Sequence, residues 1–334
     1  MNKRERVMAA VRGEPVDRVP LSFWLHNFAH EDTAQALTDE TLRLYRAFDW
    51  DFLKPQSRFQ CFGEMWGLEY RKPVDRAEWP TLTRWPVTSP EAFGKLTPRD
   101  PSTGALWEQI EAMRMIRAAV GPDVPMVATV FSPLMIAQFM VPGGVDAVGA
   151  MMRDQPAALA RGLEAIAATL REFVKLLMRE PIDGLFYASN VATRDRMNAD
   201  DFRRFQAPYD VPILEAASAA PFNILHMCGT GILFEEFADY PAQVFSWATV
   251  PGNPTLSEVH RRTGRAVLGG LPAKPQIKTM TREELVARAE ASIAEMGGRF
   301  HLLGPDCSIN PDTPEPLIHA VGERVRAPRQ GAVS

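Results

Sequence analysis

Eight short apolar runs recur along the chain, each followed by a longer amphipathic or alanine-rich stretch, and no other feature constrains the fold so tightly. The runs lie at 19–25, 51–54, 125–130, 184–188, 222–225, 244–247, 266–269 and 299–303. The clearest helical stretches are 32–48, 105–120, 155–179, 199–219 and 282–296. Two of these begin with capping chemistry. Thr281 stands three residues before Glu284, as in a capping box, and Asn198 precedes two acids, Asp200 and Asp201, in a first turn. A strand–helix unit repeated eight times predicts an α/β fold, a single (β/α)8 barrel of parallel strands. The rival is an open doubly wound sheet, which usually places a glycine-rich loop after its first strand. Here that loop reads His26-Asn27-Phe28-Ala29-His30.

The 334 residues suit one barrel with insertions, spanning 1–328, with a disordered tail over 329–334 that begins to look unstructured at Pro328. A net charge of −4 and the lack of a Lys/Arg stripe argue against a nucleic-acid partner. Residues 1–20 are charged and helical in character, with no apolar segment of the secretory kind. No run approaches the roughly 18 apolar residues of a membrane span. A cytoplasmic chain is expected, and in it three cysteines point to metal or catalytic use rather than to a disulfide framework. The longest connection, 56–104 after the second strand, is rich in proline and carries Trp66, Trp79 and Trp85. It reads either as a lid or as a small hairpin that covers the barrel with aromatics.

The chemistry concentrates at two strand ends. Run 222–225 continues into His226-Met227-Cys228-Gly229, and alternation along a strand turns His226 and Cys228 to one face. The last strand ends in Gly304-Pro305-Asp306-Cys307. In a barrel every strand delivers its C-terminal end to the same mouth, so Cys307 can join the other two. One imidazole and two thiolates suit Zn2+ and leave one tetrahedral position open, the pattern of a catalytic site.

These motifs resemble those of the uroporphyrinogen decarboxylase superfamily, and within it the zinc-dependent, cobalamin-linked methyltransferases of the methylcobamide:coenzyme M type. The likeness runs from Asn2-Lys3-Arg4-Glu5-Arg6-Val7 and Gly13-Glu14-Pro15-Val16-Asp17-Arg18-Val19-Pro20 through Ala199-Asp200-Asp201-Phe202 to the two cysteine motifs and the following Ser308-Ile309-Asn310-Pro311-Asp312. It implies that His226, Cys228 and Cys307 bind zinc. It also implies that a thiol held there takes a methyl group from methyl-cobalamin, carried by a separate corrinoid protein or free. The decarboxylase branch follows its first strand with an arginine-bearing stretch that holds substrate carboxylates. Residues 24–30 contain no arginine, which makes a porphyrinogen decarboxylase the second reading and a non-catalytic zinc- or thiol-binding barrel the third.

Further mouth residues follow from the strand ends. His26, Tyr187, Ser189 and Asn190 are candidate cofactor contacts, with Asn27, Lys54, Gln56, Ser132 and Trp247 beside them. Asp306, Glu235 and Glu236 are candidates to support the ligands or supply a fourth, and Arg194 and Arg196 to meet an anionic cofactor. Cys61, between Phe59 and Phe62, is expected to pack, and His30, His260, His301 and His319 to be structural or exposed. The protein is expected to be a monomer or homodimer.

Overall fold

The computed structural model describes residues 1–327, so the expected tail lies outside the described residues. Its first two strands, β1 (Glu69–Arg71) and β2 (Thr81–Arg84), form an antiparallel hairpin inside the long connection. The other six are β3 (Val127–Phe131), β4 (Gly184–Ser189), β5 (Ile224–Met227), β6 (Val244–Trp247), β7 (Ala266–Leu271) and β8 (His301–Pro305). They make a parallel sheet in which sequence neighbours are spatial neighbours. All their residues are buried. That is the state of a parallel sheet with both faces covered.

The runs 19–25 and 51–54 connect the two edges of this sheet. The Leu303 N–H donates to Pro20 O at 2.8 Å and the Ser22 N–H to Leu303 O at 3.1 Å. The Asp51 N–H reaches Leu21 O at 2.8 Å, and Leu53 exchanges bonds with Pro125 and Val127 at 2.8 and 2.9 Å. These two runs were expected as full strands, but they pair only as isolated bridges at Leu21, Leu25 and Leu53. Pro20 and Pro55 bound them without donors. Side chains replace part of the ladder: Asp51 Oδ2 accepts the Leu21 N–H at 2.8 Å, and Ser22 Oγ donates to Phe52 O at 2.8 Å. Asp51 is fully buried and also holds Arg6 at 2.8 Å and Arg18 at 2.5 Å. Arg6 in turn grips Asp17 through two bonds of 2.7 Å. The charged opening of the chain is thus an ion-pair network that pins the N-terminal helix Lys3–Arg12 to the second apolar run.

The capping box expected at Thr281 forms, and Asn198, expected only to precede acids in a first turn, makes a box of its own with Asp201. The stretch 199–219 breaks at Gln206 into helices Ala199–Phe205 and Ala207–Glu215. Pro208, which cannot donate to the preceding turn, accounts for the restart. Helix Pro156–Leu177 packs on the insertion, where Phe93 seats against Gly162, the position that leaves room for its ring. No single helix among the described residues is long and apolar enough to cross a membrane.

Candidate metal centre and barrel mouth

The end of β5 and the end of β8 bring three soft donors together. One ligand atom each of His226, Cys228 and Cys307 lies within 4.8 Å of the others, and the two sulfurs are 3.7 Å apart. The geometry has local causes. His226 sits within β5, paired in register with Ala188 of β4 and Ser246 of β6. Cys228 is two residues on, and its N–H is held by Ser189 O at 2.7 Å. Gly229 then adopts φ 112°, a turn that a side chain would resist. Asp306 anchors the other side. Its carboxylate accepts the Thr249 N–H at 2.9 Å, the Thr249 hydroxyl, and the Gly270 N–H at 3.4 Å, which ties the end of β8 to the ends of β6 and β7.

The imidazole is held from behind by Ser246, whose Oγ lies 3.1 Å from Nδ1. The opposite nitrogen, Nε2, is buried with no partner among the described residues. An orphaned buried ring nitrogen is costly unless something binds it. Here it shares a small space with two sulfurs, which is what a metal-binding donor set requires. The two thiols lie within hydrogen-bonding reach of each other. The neighbouring Cys228 thiol, His226 and Lys274 hold Cys307 well below the usual thiol range, and the neighbouring Cys307 sulfur pushes Cys228 up. A divalent ion displaces such protons.

Around the triad lies an aromatic and cationic wall. The Phe186 ring is 5.1 Å from that of His226 and 5.3 Å from that of Trp24. Lys54 Nζ stands 4.8 Å from the centroid of Phe186, and burial pushes its ammonium down to about 7. Lys274, just after β7, donates to Ser308 Oγ at 3.1 Å and lies 4.9 Å from the Trp79 ring. Trp79 is 58% exposed and packs on Phe28 and Phe59, so the insertion carries a hairpin whose connecting loop reaches the mouth.

Other expected residues fall in different places. His26 is at the mouth, with Nδ1–H donating to Glu31 at 2.9 Å and Nε2 accepting from Gln56 at 2.7 Å. Tyr187 points away, because alternation on β4 turns Phe186 inward. Its hydroxyl donates to the buried Asp210 on helix Ala207–Glu215 at 2.6 Å. Ser189 shares the face of Tyr187, and Asn190 accepts from Gln138 at 2.7 Å. Ser132 caps helix Pro133–Met140, and the Trp247 indole donates to Pro254 O at 2.8 Å. Glu235 and Glu236 are engaged by Arg262 and Arg203 in exposed ion pairs, away from ligand duty. Arg194 and Arg196 donate to the carbonyls of Gly252 and Asn190. Cys61 is fully buried among aromatics, and His301 is buried with burial holding its pKa near 4. Ser246, Glu31 and Lys274 were not singled out from the sequence. Lys274 follows a strand end and was findable by that rule, but nothing local marks the other two.

A profile of the family described as "Uroporphyrinogen decarboxylase (URO-D)" matches residues 2–328. A protein of Methanosarcina barkeri named "Methylcobamide:CoM methyltransferase MtaA" is 23% identical over 337 residues, covering 95% of this chain and 96% of its own. A "Uroporphyrinogen decarboxylase" of Sorangium cellulosum is 26% identical over 250 residues, 72% of this chain and 69% of that protein. Among solved structures, a methyltransferase from Methanosarcina mazei superposes with a TM-score of 0.82 at 20% identity, over 97% of this chain and 98% of that one. A B12-independent methionine synthase from Shewanella sp. W3-18-1 gives 0.58 at 14% identity, over 92% and 96%. At these identities the structural likeness speaks for a shared fold of the TIM-barrel kind.

Proposed function

Since the chain belongs to the uroporphyrinogen decarboxylase (URO-D) family, whose members are methyltransferases or decarboxylases, we propose that it is a zinc-dependent methyltransferase moving a methyl group from a methyl-corrinoid to a thiol. One observation carries this reading: an unpartnered imidazole nitrogen and two thiols converge within 4.8 Å at one end of the sheet. The relatives named for methylcobamide and CoM, which align with nearly the whole chain, supply the donor and acceptor chemistry. We read the fold as a closed eight-stranded barrel, supported by the bonds of 19–25 and 51–54 to both sheet edges.

His226, Cys228 and Cys307 would hold the metal. Zinc bound there would supply an open coordination position and enough positive charge to keep a thiol deprotonated yet nucleophilic. Ser246 fixes the ring so that Nε2 faces the sulfurs, with Nδ1–H as the donor. Asp306 keeps Cys307 in place through its three partners. Phe186 and Trp24, both buried, exclude water from one wall, and Lys54 and Lys274 raise the local positive potential that favours a bound thiolate. His26 and Asn190 belong to the rim that a corrinoid would approach. Tyr187 is left out, because its hydroxyl is committed to Asp210.

The decarboxylase reading meets a pocket with no arginine in residues 24–30 to hold a polycarboxylate. Metal analysis of the purified protein, followed by titration with methyl-cobalamin and a panel of thiols, tests the proposal. About one zinc per chain, lost in Cys307→Ala, and thiol-dependent demethylation of the corrinoid are expected. Decarboxylation of uroporphyrinogen by metal-free protein would overturn it. A zinc whose coordination no thiol alters would favour a binding role instead.

A further inference from the structure

The first two apolar runs part where a strand ladder would have joined them. The Asp51 N–H donates to Leu21 O at 2.8 Å, and Ser22 Oγ donates to Phe52 O at 2.8 Å. The next link between the runs is made by side chains, Gln56 to His26 at 2.7 Å. In between, Leu25 and Leu53 bridge outward, to Ile309 and Met126. Trp24, Leu25 and Lys54 wall a narrow cavity in this gap, and helix Ala34–Phe48 covers it with Glu40 and Thr41. The cavity leaves about 20 Å³ for the centres of water molecules. That is room for one water.

Two side chains that line the cavity carry opposite halves of a missing hydrogen-bond pair. The indole N–H of Trp50 is buried with no acceptor, and the amide oxygen of Asn27 is buried with no donor, among the described residues. Orphaned groups of this kind are rare in native interiors. Water answers both, because one molecule accepts from an N–H and donates to a carbonyl oxygen. A cation would repel the indole N–H, and an anion would repel the amide oxygen. The cavity also has an outer side. Asn27 and Glu40 line an open surface pocket of about 350 Å³ as well, beside His30 and Arg43. There Arg43 and Arg76 hold the Glu40 carboxylate at 2.9 and 3.3 Å. On the inner side, Lys54 borders both the cavity and the mouth, since its ammonium lies 4.8 Å from the centroid of Phe186, whose ring flanks that of His226.

We infer that this gap in the barrel wall is a water site and a proton exit, in which water held by Asn27 and Trp50 links Lys54 to solvent at helix Ala34–Phe48. The exit rests on the reading of the triad as the thiol site; the water site does not. When a thiol binds the triad its S–H bond breaks, the electron pair stays on sulfur, and one proton must leave a space that the methyl donor covers from the mouth. Lys54 passes a proton to the cavity water, the water passes one to solvent beside Asn27 and Glu40, and the proton of the thiol restores the ammonium. Protons and charge balance without a co-reactant. Lys54 is the relay, and Asn27 and Trp50 are positioning residues for the water.

The first test uses metal-free, full-length protein. The indole N–H of Trp50, identified in nitrogen–proton NMR spectra by its loss in Trp50→Phe, is expected to exchange with D2O at least about tenfold faster than that of Trp247. The Trp247 indole is also buried but donates to Pro254 O at 2.8 Å. Thr41→Leu adds carbon to the cavity and should slow Trp50 to the rate of Trp247; Leu44→Phe, one turn on and lining the same space, serves if Thr41→Leu does not fold. Filling would not slow exchange that occurs by local unfolding. A Trp50 as slow as Trp247 in wild type, or one as fast in a folded filling variant as in wild type, would overturn the water site. The second test uses zinc-loaded protein with a thiol and methyl-cobalamin. The filling variant should lower kcat about tenfold, leave the KM for the thiol unchanged, and show a larger solvent deuterium isotope effect on kcat than wild type. A kcat and isotope effect equal to those of wild type would overturn the exit. Absence of methyl transfer by wild type would instead remove the proposed function, and indole exchange would still decide the water site.

Discussion

Replacing Ser246 by alanine tests the metal centre from behind, without touching a ligand. Ser246 is fully buried and its Oγ lies 3.1 Å from His226 Nδ1, while Nε2 is left without a partner. A neutral hydrogen bond of this kind is worth a net 0.5 to 1.5 kcal/mol, roughly, but removing only its acceptor leaves the Nδ1–H buried and unpaired, at a cost of about 1–3 kcal/mol in its place. Ring rotation recovers part of that at the expense of where Nε2 points. The net expectation is a metal affinity weaker by about 10- to 100-fold, or about 1.4–2.8 kcal/mol. Competition against a chromophoric zinc chelator measures it, with urea unfolding of the metal-free variant as the control. Metal affinity equal to that of wild type would refute the role of Ser246. So would a loss matched in full by global destabilisation, because Ser246 would then support the sheet and not the ligand.

Three further predictions concern the scaffold. Asp51→Asn leaves Arg6 and Arg18 without their shared carboxylate, so unfolding free energy should fall by about 3–5 kcal/mol in denaturant titrations. Gly162→Ala should destabilise, by roughly 1–3 kcal/mol, although alanine is the better helix former; its Cβ would fall 2.2 Å from the Phe93 ring, and a raised melting temperature would contradict this packing. Asp210 is held up to about 7 by burial, against the lowering effect of Gln206, Tyr187 and Tyr240. The folded state therefore keeps its proton where the unfolded chain has lost it. The stability of wild type relative to Asp210→Asn should fall as pH rises from about 4 to about 7 and level off above that, and a flat difference would show that the carboxyl is not perturbed.

Much of this protein could be read from residue order. The alternation of apolar runs with helical stretches depends on local periodicity, so six of the eight expected runs became strands of one parallel sheet in chain order. The capping box at Thr281 involves residues three apart and formed as read, and the acids after Asn198 fell in a first turn as read. His226 and Cys228 share a face because strand geometry allows nothing else. The same periodicity also placed Tyr187 and Ser189 opposite to Phe186, yet only the fold decided which of the two faces looks inward. Phe186 did, and Tyr187 turned to Asp210.

The barrel expectation allowed Cys307 to join His226 and Cys228, but how close they come was decided by the tertiary structure. Nothing in the residues around Cys307 records that its sulfur ends 3.7 Å from that of Cys228. The sheet brings them together by delivering the ends of two strands to one mouth. Ser246 beside His226, Lys54 over the ring of Phe186, and Lys274 at the indole of Trp79 are likewise products of register and loop path, which no local pattern encodes. Local sequence governs which way a segment bends and which side it hides. The chemistry of this site comes from segments that meet only after the chain has closed on itself.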